Sequence, residues 1–153
     1  MELLIIVFLL GGLFLGWSLG ANDAANVFGT AVGTRMVQFK TAAIICSLFV
    51  ILGAVISGSG TTETLGKLGS INALPGAFAA CVAAGLSVYI MTKLGLPVST
   101  TQAIVGAIIG WNLYTGSSTN IQVLITILST WVLCPIIAGL IAMFFFVITK
   151  NFI

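Results

Sequence analysis

The chain has very few charged residues for its length. Of its 153 residues, five are Lys or Arg and three are Asp or Glu, so 5% are charged, whereas 59% are hydrophobic. The mean hydropathy is +1.26. A soluble domain carries about 25% charged residues. This composition excludes an ordinary soluble domain and predicts an all-α, polytopic transmembrane protein embedded in a lipid bilayer.

Histidine is absent, which removes imidazole as a metal ligand, general base or proton carrier. Cys46, Cys81 and Cys134 lie inside apolar runs without CxxC spacing, so we interpret them as small buried hydrophobes. With one aspartate and no histidine, neither a catalytic triad nor an aspartyl dyad can form within the chain. We expect no enzyme activity, no catalytic residue and no cofactor. No basic run suits nucleic acid, so a nucleic-acid partner is not expected.

The apolar residues fall into five stretches, and we expect about five membrane crossings over a single domain, 1–153. The first stretch begins beside Glu2 and leads into Asn-Asp, so we interpret it as a retained helix and not a signal peptide. We expect an aqueous loop over Gly58–Ser70 and another over Tyr114–Asn120. The last stretch exceeds the apolar core of a bilayer and is expected to be tilted, kinked or partly outside it. The five stretches are Leu3–Leu19, Thr41–Ser57, Gly76–Thr92, Ala103–Leu113 and Ile121–Thr149.

The basic residues predict the orientation of the chain. With five crossings, Lys67 lies on one side with Glu2 and Glu63, and the other four basic residues lie opposite. The positive-inside rule then gives a cell-membrane protein with its N-terminus outside and its C-terminus in the cytoplasm. If Val98–Leu113 is instead one arm of a re-entrant hairpin, the C-terminus moves outside unless the last run also turns back. The four basic residues are Arg35, Lys40, Lys93 and Lys150.

A first polar motif follows the first apolar run directly. It reads GANDAANVFGTAVGT from Gly20 to Thr34. If it is helical, Asp23 shares one face with Asn26, Thr30 and Thr34. A carboxylate beside this much hydrocarbon costs about 2.5–3.5 kcal/mol on insertion scales. The motif therefore predicts a binding site rather than a lipid-facing surface.

A second polar motif interrupts the later hydrophobic sequence. It reads GLPVSTTQ over residues 95–102. Pro97 disfavours helix at the preceding residue, so a helix is expected to begin at or just after it, giving a broken or re-entrant segment. The free N–H groups of that helix start lie beside three hydroxyls and an amide, which favours an anion site. The alternative is an ordinary Ser or Thr cap at a membrane helix.

These two motifs resemble the paired signatures of the PiT inorganic phosphate transporter family. The second stretch of resemblance extends through Trp111, as GLPVSTTQAIVGAIIGW. The resemblance implies a secondary transporter that moves inorganic phosphate with a coupling cation, sodium or proton. It also implies two inverted copies of the motif pair. Only one pair is present here, which favours a half-transporter that requires a second inverted half or a homologous subunit.

Carried over by motif position, the resemblance divides the polar residues between two ligands. Asn22, Asp23 and Asn26 are expected at the cation, with Asp23 as the sodium ligand if sodium drives transport. Phosphate is expected to contact Asn22 and the second motif, at Ser99, Thr100, Thr101 and Gln102. An aspartate near an anion is repulsive unless it holds a cation or a proton, so the residue chemistry also favours coupled binding.

Two alternatives to phosphate symport remain open from the sequence. A donor-rich cradle does not distinguish tetrahedral oxyanions, so another oxyanion such as sulfate is the nearest. The second alternative is an inactive or structural membrane half-subunit that requires a partner.

Overall fold

The computed structural model describes residues 2–69, 71 and 74–152, and it is 88% helical with no strand among them. This confirms the all-α prediction. Within these residues the helices are α1 (Glu2–Gly33), α2 (Phe39–Leu68), α3 (Leu74–Lys93), α4 (Thr100–Thr115) and α5 (Ile121–Phe152).

Four helices, α1, α2, α3 and α5, are long and apolar enough to cross a membrane, by length and composition. The polytopic membrane class is therefore confirmed. Helix α4 has 16 residues, or about 24 Å at 1.5 Å per residue, which is shorter than a hydrocarbon core of about 30 Å. Whether α4 forms the fifth crossing stays a prediction.

The loop predicted over Gly58–Ser70 is wrong, because α2 continues to Leu68. Its hydroxyls bond backwards along the helix, from Thr62 to the Gly58 carbonyl at 3.0 Å and from Thr64 to the Gly60 carbonyl at 2.9 Å. Glu63 also pairs with Lys67 one turn later. The Glu63–Lys67 pair gives the helix a small stabilisation, whereas the two hydroxyl bonds satisfy side-chain donors within it. Ser70 lies outside the described residues.

The other helix boundaries agree more closely with expectation. Helix α3 begins at Leu74 with Pro75 in its first turn and ends at Lys93, as predicted. Helix α4 continues into the predicted loop, to Thr115, and stops at Gly116. Gly116 has φ 69°, a left-handed conformation that a glycine adopts without a Cβ clash.

Contacts divide the chain into two units, residues 2–119 and residues 120–152, of which the first contains both polar motifs. In the first unit α1 and α3 are in close contact and parallel. Trp17 lies 5.7 Å from Tyr89 between ring centroids. A Cβ on Gly85 would lie 2.8 Å from the Phe14 ring, so glycine is required for this approach. Nearer the start of both helices, Phe8 lies against Phe78.

Helices α3 and α4 form an antiparallel pair. Gly76, near the start of α3, lies against Trp111 near the end of α4; a Cβ there would be 2.8 Å from the indole. Residues 94–99 therefore form a turn at the far end of the pair. Because α1 runs parallel to α3, its Asn22–Asp23 segment reaches this turn. Helix α1 then continues ten residues to Gly33, about 15 Å further along its axis.

The second unit consists of α5 and the residue before it. Asn120 accepts a hydrogen bond from the Val123 N–H at 3.2 Å at the start of the helix. Helix α5 has 32 residues and continues through Pro135. Its length is about 48 Å, so the expectation that it exceeds the apolar core is confirmed.

Candidate functional site

The turn between α3 and α4 begins with an ordered helix end. The Gly95 N–H donates to the Thr92 carbonyl at 3.1 Å, and the Leu96 N–H donates to the Met91 carbonyl at 2.9 Å. This pair of bonds is a Schellman motif, and Gly95 supplies its left-handed residue with φ 70°. The motif stops α3 and directs the chain towards Pro97.

Ser99 starts α4 by capping its first turn. Its hydroxyl accepts a hydrogen bond from the Gln102 N–H at 3.3 Å, and its carbonyl accepts one from the Ala103 N–H at 3.1 Å. A helix leaves its first N–H groups without intrahelical partners. The N–H groups of Thr100 and Thr101 remain available for a ligand at this helix start. The cap and the predicted anion site are therefore compatible.

Asn22 connects α1 to this turn through a hydrogen bond. Its side-chain N–H donates to the Val98 carbonyl at 3.0 Å, and its oxygen accepts from Asn26 at 3.2 Å. The side chain is only 5% exposed. Without the Val98 bond, the buried Asn22 amide would lose this partner. Sequence reasoning missed the Val98 contact because the group involved is a backbone carbonyl, on which residue type gives no information.

Asp23 contacts the second motif directly. The Thr100 hydroxyl donates to Asp23 Oδ2 at 3.1 Å, although the two residues are 77 positions apart in the sequence. Thr100 is buried and Asp23 is half-buried. The two motifs, which the sequence shows far apart, therefore meet at one place in the first unit.

A cleft of about 390 Å³ opens at this meeting point. It combines residues from both motifs. Two predicted site residues do not line it, because Asn22 is buried against Val98 and Gln102 is exposed beside the capped turn. Thr30 and Thr34, predicted on the same helix face as Asp23, are also not in the lining. The Thr34 hydroxyl instead donates to the Thr30 carbonyl at 2.8 Å. The lining residues are Asp23, Asn26, Pro97, Val98, Ser99, Thr100 and Thr101.

The groups in the cleft separate into donors and acceptors. Hydroxyls and free N–H groups lie on the α4 side, where the helix dipole adds positive potential. A single carboxylate and an amide oxygen lie on the α1 side. Among the described residues no three His, Cys, Asp or Glu side chains lie together. This set of oxygen ligands suits a hard cation of low charge beside an oxyanion.

Comparison with protein families matches residues 19–153 to the phosphate transporter family. The chain is 36% identical over 149 residues to a protein of Pyrococcus furiosus named "Putative phosphate permease", covering 91% of this chain. It is 40% identical over 131 residues to one of Methanocaldococcus jannaschii with the same descriptive name, covering 85% of this chain. A Haemophilus influenzae protein of that name is 35% identical over 154 residues, covering 93%. No solved structure matches the chain.

The matches extend over only part of each relative. The aligned region is 36% of the Pyrococcus furiosus and Haemophilus influenzae proteins and 42% of the Methanocaldococcus jannaschii protein. The chain therefore spans less than half the length of these relatives. The family match contains both polar motifs, since it begins at residue 19.

Proposed function

The chain belongs to the phosphate transporter family, and from that premise we propose that it forms one inverted half of a secondary transporter for inorganic phosphate. Phosphate moves with a coupling cation, sodium or a proton, and the protein acts as a permease and not as an enzyme. The observation that carries the proposal is the 3.1 Å contact between Asp23 and Thr100 in a cleft with hydroxyl and N–H donors.

Phosphate occupies the α4 side of the cleft. Ser99 has a hydroxyl proton to donate, because its bond to Gln102 uses only an acceptor lone pair. Thr101 adds a hydroxyl, and the N–H groups of the first turn add two donors with the favourable end of the helix dipole. Gln102 does not line the cleft, so its contact with phosphate stays a prediction from the motif. Asn22 contributes to phosphate binding indirectly, because its hydrogen bond to the Val98 carbonyl fixes the turn.

The cation occupies the Asp23 side, with Asn26, which also lines the cleft, as an amide ligand. Two like charges 4 Å apart repel by about 4 kcal/mol at an effective dielectric constant of 20. A helix N-terminus stabilises an anion by about 0.3–1 kcal/mol, or up to 2 kcal/mol in a partly buried site. The dipole alone does not offset the repulsion between Asp23 and phosphate. A sodium ion or a proton on Asp23 does, and cation and phosphate are therefore bound together.

The complete transporter contains the motif pair twice, and the second half is an inverted copy or a homologous subunit. In the first unit α1 and α3 are parallel, so Lys93 and the α1–α2 connection containing Arg35 follow the same ends of these two helices. This supports placing these basic residues on one side of the membrane. With the positive-inside rule we propose that this side is the cytoplasm, that the N-terminus is outside and that the C-terminus is in the cytoplasm.

Uptake of radiolabelled phosphate into proteoliposomes tests the function, with the chain reconstituted together with its second half or as two copies in opposite orientations. We expect uptake to require an inward gradient of sodium or of protons, tested separately, and to resist excess sulfate. Competition by sulfate equal to that by unlabelled phosphate would instead indicate a general oxyanion transporter. Absence of phosphate uptake under both gradients would contradict the proposal.

A further inference from the structure

The single hydroxyl proton of Thr100 is directed at Asp23. The Oγ1–Oδ2 distance is 3.1 Å, and Thr100 is only 7% exposed although it lines the cleft. A threonine hydroxyl has one donor and two acceptor lone pairs. While the proton is held by Asp23, the hydroxyl offers only lone pairs to an oxyanion in the cleft. The Thr100 oxygen and the phosphate oxygen then both act as acceptors, which disfavours phosphate binding.

We propose that Thr100 couples cation binding to phosphate binding by turning its one hydroxyl proton from Asp23 to phosphate when Asp23 is neutralised. The inference rests on the proposed function. Sodium on Asp23 takes over the carboxylate oxygens and can accept a lone pair from the Thr100 hydroxyl. A proton on Asp23 makes the carboxyl group a donor to that hydroxyl. In both cases the Thr100 O–H bond is free to turn towards the cleft and donate to phosphate.

The neighbouring hydroxyls lack this property. Ser99 caps α4 through Gln102 and makes no hydrogen bond to Asp23. Thr101 is exposed and makes none either. Their donors are available to phosphate with or without a cation. Ser99 and Thr101 therefore set the affinity for phosphate, whereas Thr100 sets how strongly that affinity depends on the cation.

The Thr100 contact makes the coupling reciprocal. Phosphate without a cation meets an ionised Asp23 and a hydroxyl whose proton is already used, so it binds weakly. A cation on Asp23 frees that hydroxyl for phosphate. Each ligand therefore raises the affinity for the other by the same factor.

The test measures equilibrium binding of radiolabelled phosphate to the full chain in lipid nanodiscs. The dissociation constant is determined in sodium chloride and in choline chloride at one pH, and then in choline chloride at pH 6 and pH 8. The ratio between the two salts gives the coupling factor for sodium. For the proton, the ratio between the two pH values is divided by that of Asp23→Asn, which has no proton site but meets the same change in the protonation of phosphate. For the wild-type chain we expect a factor of about 5 to 150 for the cation that drives transport.

Three substitutions separate coupling from affinity. Thr100→Val keeps the side-chain shape without the hydroxyl and is expected to lower the coupling factor about fivefold or more. Thr100→Ser restores the hydroxyl and is expected to restore the factor. Thr101→Val removes a hydroxyl that does not contact Asp23, so it is expected to weaken phosphate binding equally in both media and leave the factor unchanged. Thermal unfolding identifies variants that do not fold, and Thr100→Ala replaces Thr100→Val if that variant fails.

The outcomes distinguish a failure of the proposed function from a failure of the role of Thr100. No saturable phosphate binding by the wild-type chain in any medium overturns the proposed function. Phosphate binding with an unchanged coupling factor in Thr100→Val overturns the role of Thr100 and leaves the proposed function intact. A loss of affinity that is equal in both media for Thr100→Val, or an equal drop of the factor in Thr101→Val, also overturns it.

Discussion

Thr100 and Asp23 are joined by a hydrogen bond of 3.1 Å between two helix segments 77 residues apart. The bond connects the first motif in the middle of α1 to the first turn of α4. It brings the one aspartate of the chain beside a helix N-terminus.

Asp23→Asn is expected to abolish the dependence of phosphate transport on the cation. The amide still accepts a hydrogen bond from Thr100 but has no charge for sodium and no site for a proton. Hydrogen bonds to charged groups are worth about 1.5–3 kcal/mol, so we expect uptake driven by the gradient to fall about 10- to 100-fold or more. The measurement is proteoliposome uptake with and without the gradient.

Glu63→Gln is the matched control, because Glu63 is exposed on α2 and pairs only with Lys67. An exposed pair of this kind contributes at most about 1 kcal/mol. Uptake should remain close to that of the wild type. Equal loss in both variants would contradict a specific role for Asp23.

Asn22→Ala is expected to destabilise the turn, since it removes the bond to the Val98 carbonyl in a buried place. A buried polar group without its partner costs about 1–3 kcal/mol. The thermal unfolding midpoint in detergent should fall, together with phosphate affinity. Asn26→Ala, at an exposed residue of the cleft, should lower cation affinity with little change in the midpoint. An equal fall of the midpoint in both variants would contradict the division of roles.

Gly85→Ala is expected to weaken the pairing of α1 and α3. The new Cβ would lie 2.8 Å from Phe14 and 3.3 Å from the Leu15 backbone, so the helices must separate. Overpacking of this kind costs about 1–3 kcal/mol. Gly53→Ala in α2 is the control, because a Cβ there has no neighbour within 4 Å. The unfolding midpoint should fall only for Gly85→Ala.

Single cysteines placed at the two ends of α2 test the orientation of the chain in the membrane. In a chain carrying Cys46→Ala, Cys81→Ala and Cys134→Ala, a membrane-impermeant maleimide is added to intact cells. Lys67→Cys is expected to react from outside, and Lys40→Cys only after the cells are opened. The reverse pattern would contradict the proposed orientation.

The sequence predicted the class and the helix breaks more reliably than the contacts between the two motifs. Pro97 and Ser99 identified the start of α4 because ring geometry and capping act locally. Which hydroxyl meets Asp23 depends on the register of α1 against α3. That register is set by close approaches such as Gly85 on Phe14, and no local pattern reveals them. The loop predicted at Gly58 was wrong for a different reason. The Thr hydroxyls of this segment bond to carbonyls of α2 itself, so a polar composition does not end the helix.

The position of Asp23 within α1 has an electrical consequence. Ten of the helix's 32 residues lie beyond it, about a third of the helical length. Moving one elementary charge through the whole field costs or gains about 2.3 kcal/mol per 100 mV. A cation that crosses a third of that field to reach Asp23 gains or loses about 0.8 kcal/mol per 100 mV. Its occupancy then changes about fourfold per 100 mV, so cation binding itself becomes a charge-moving, voltage-sensitive step.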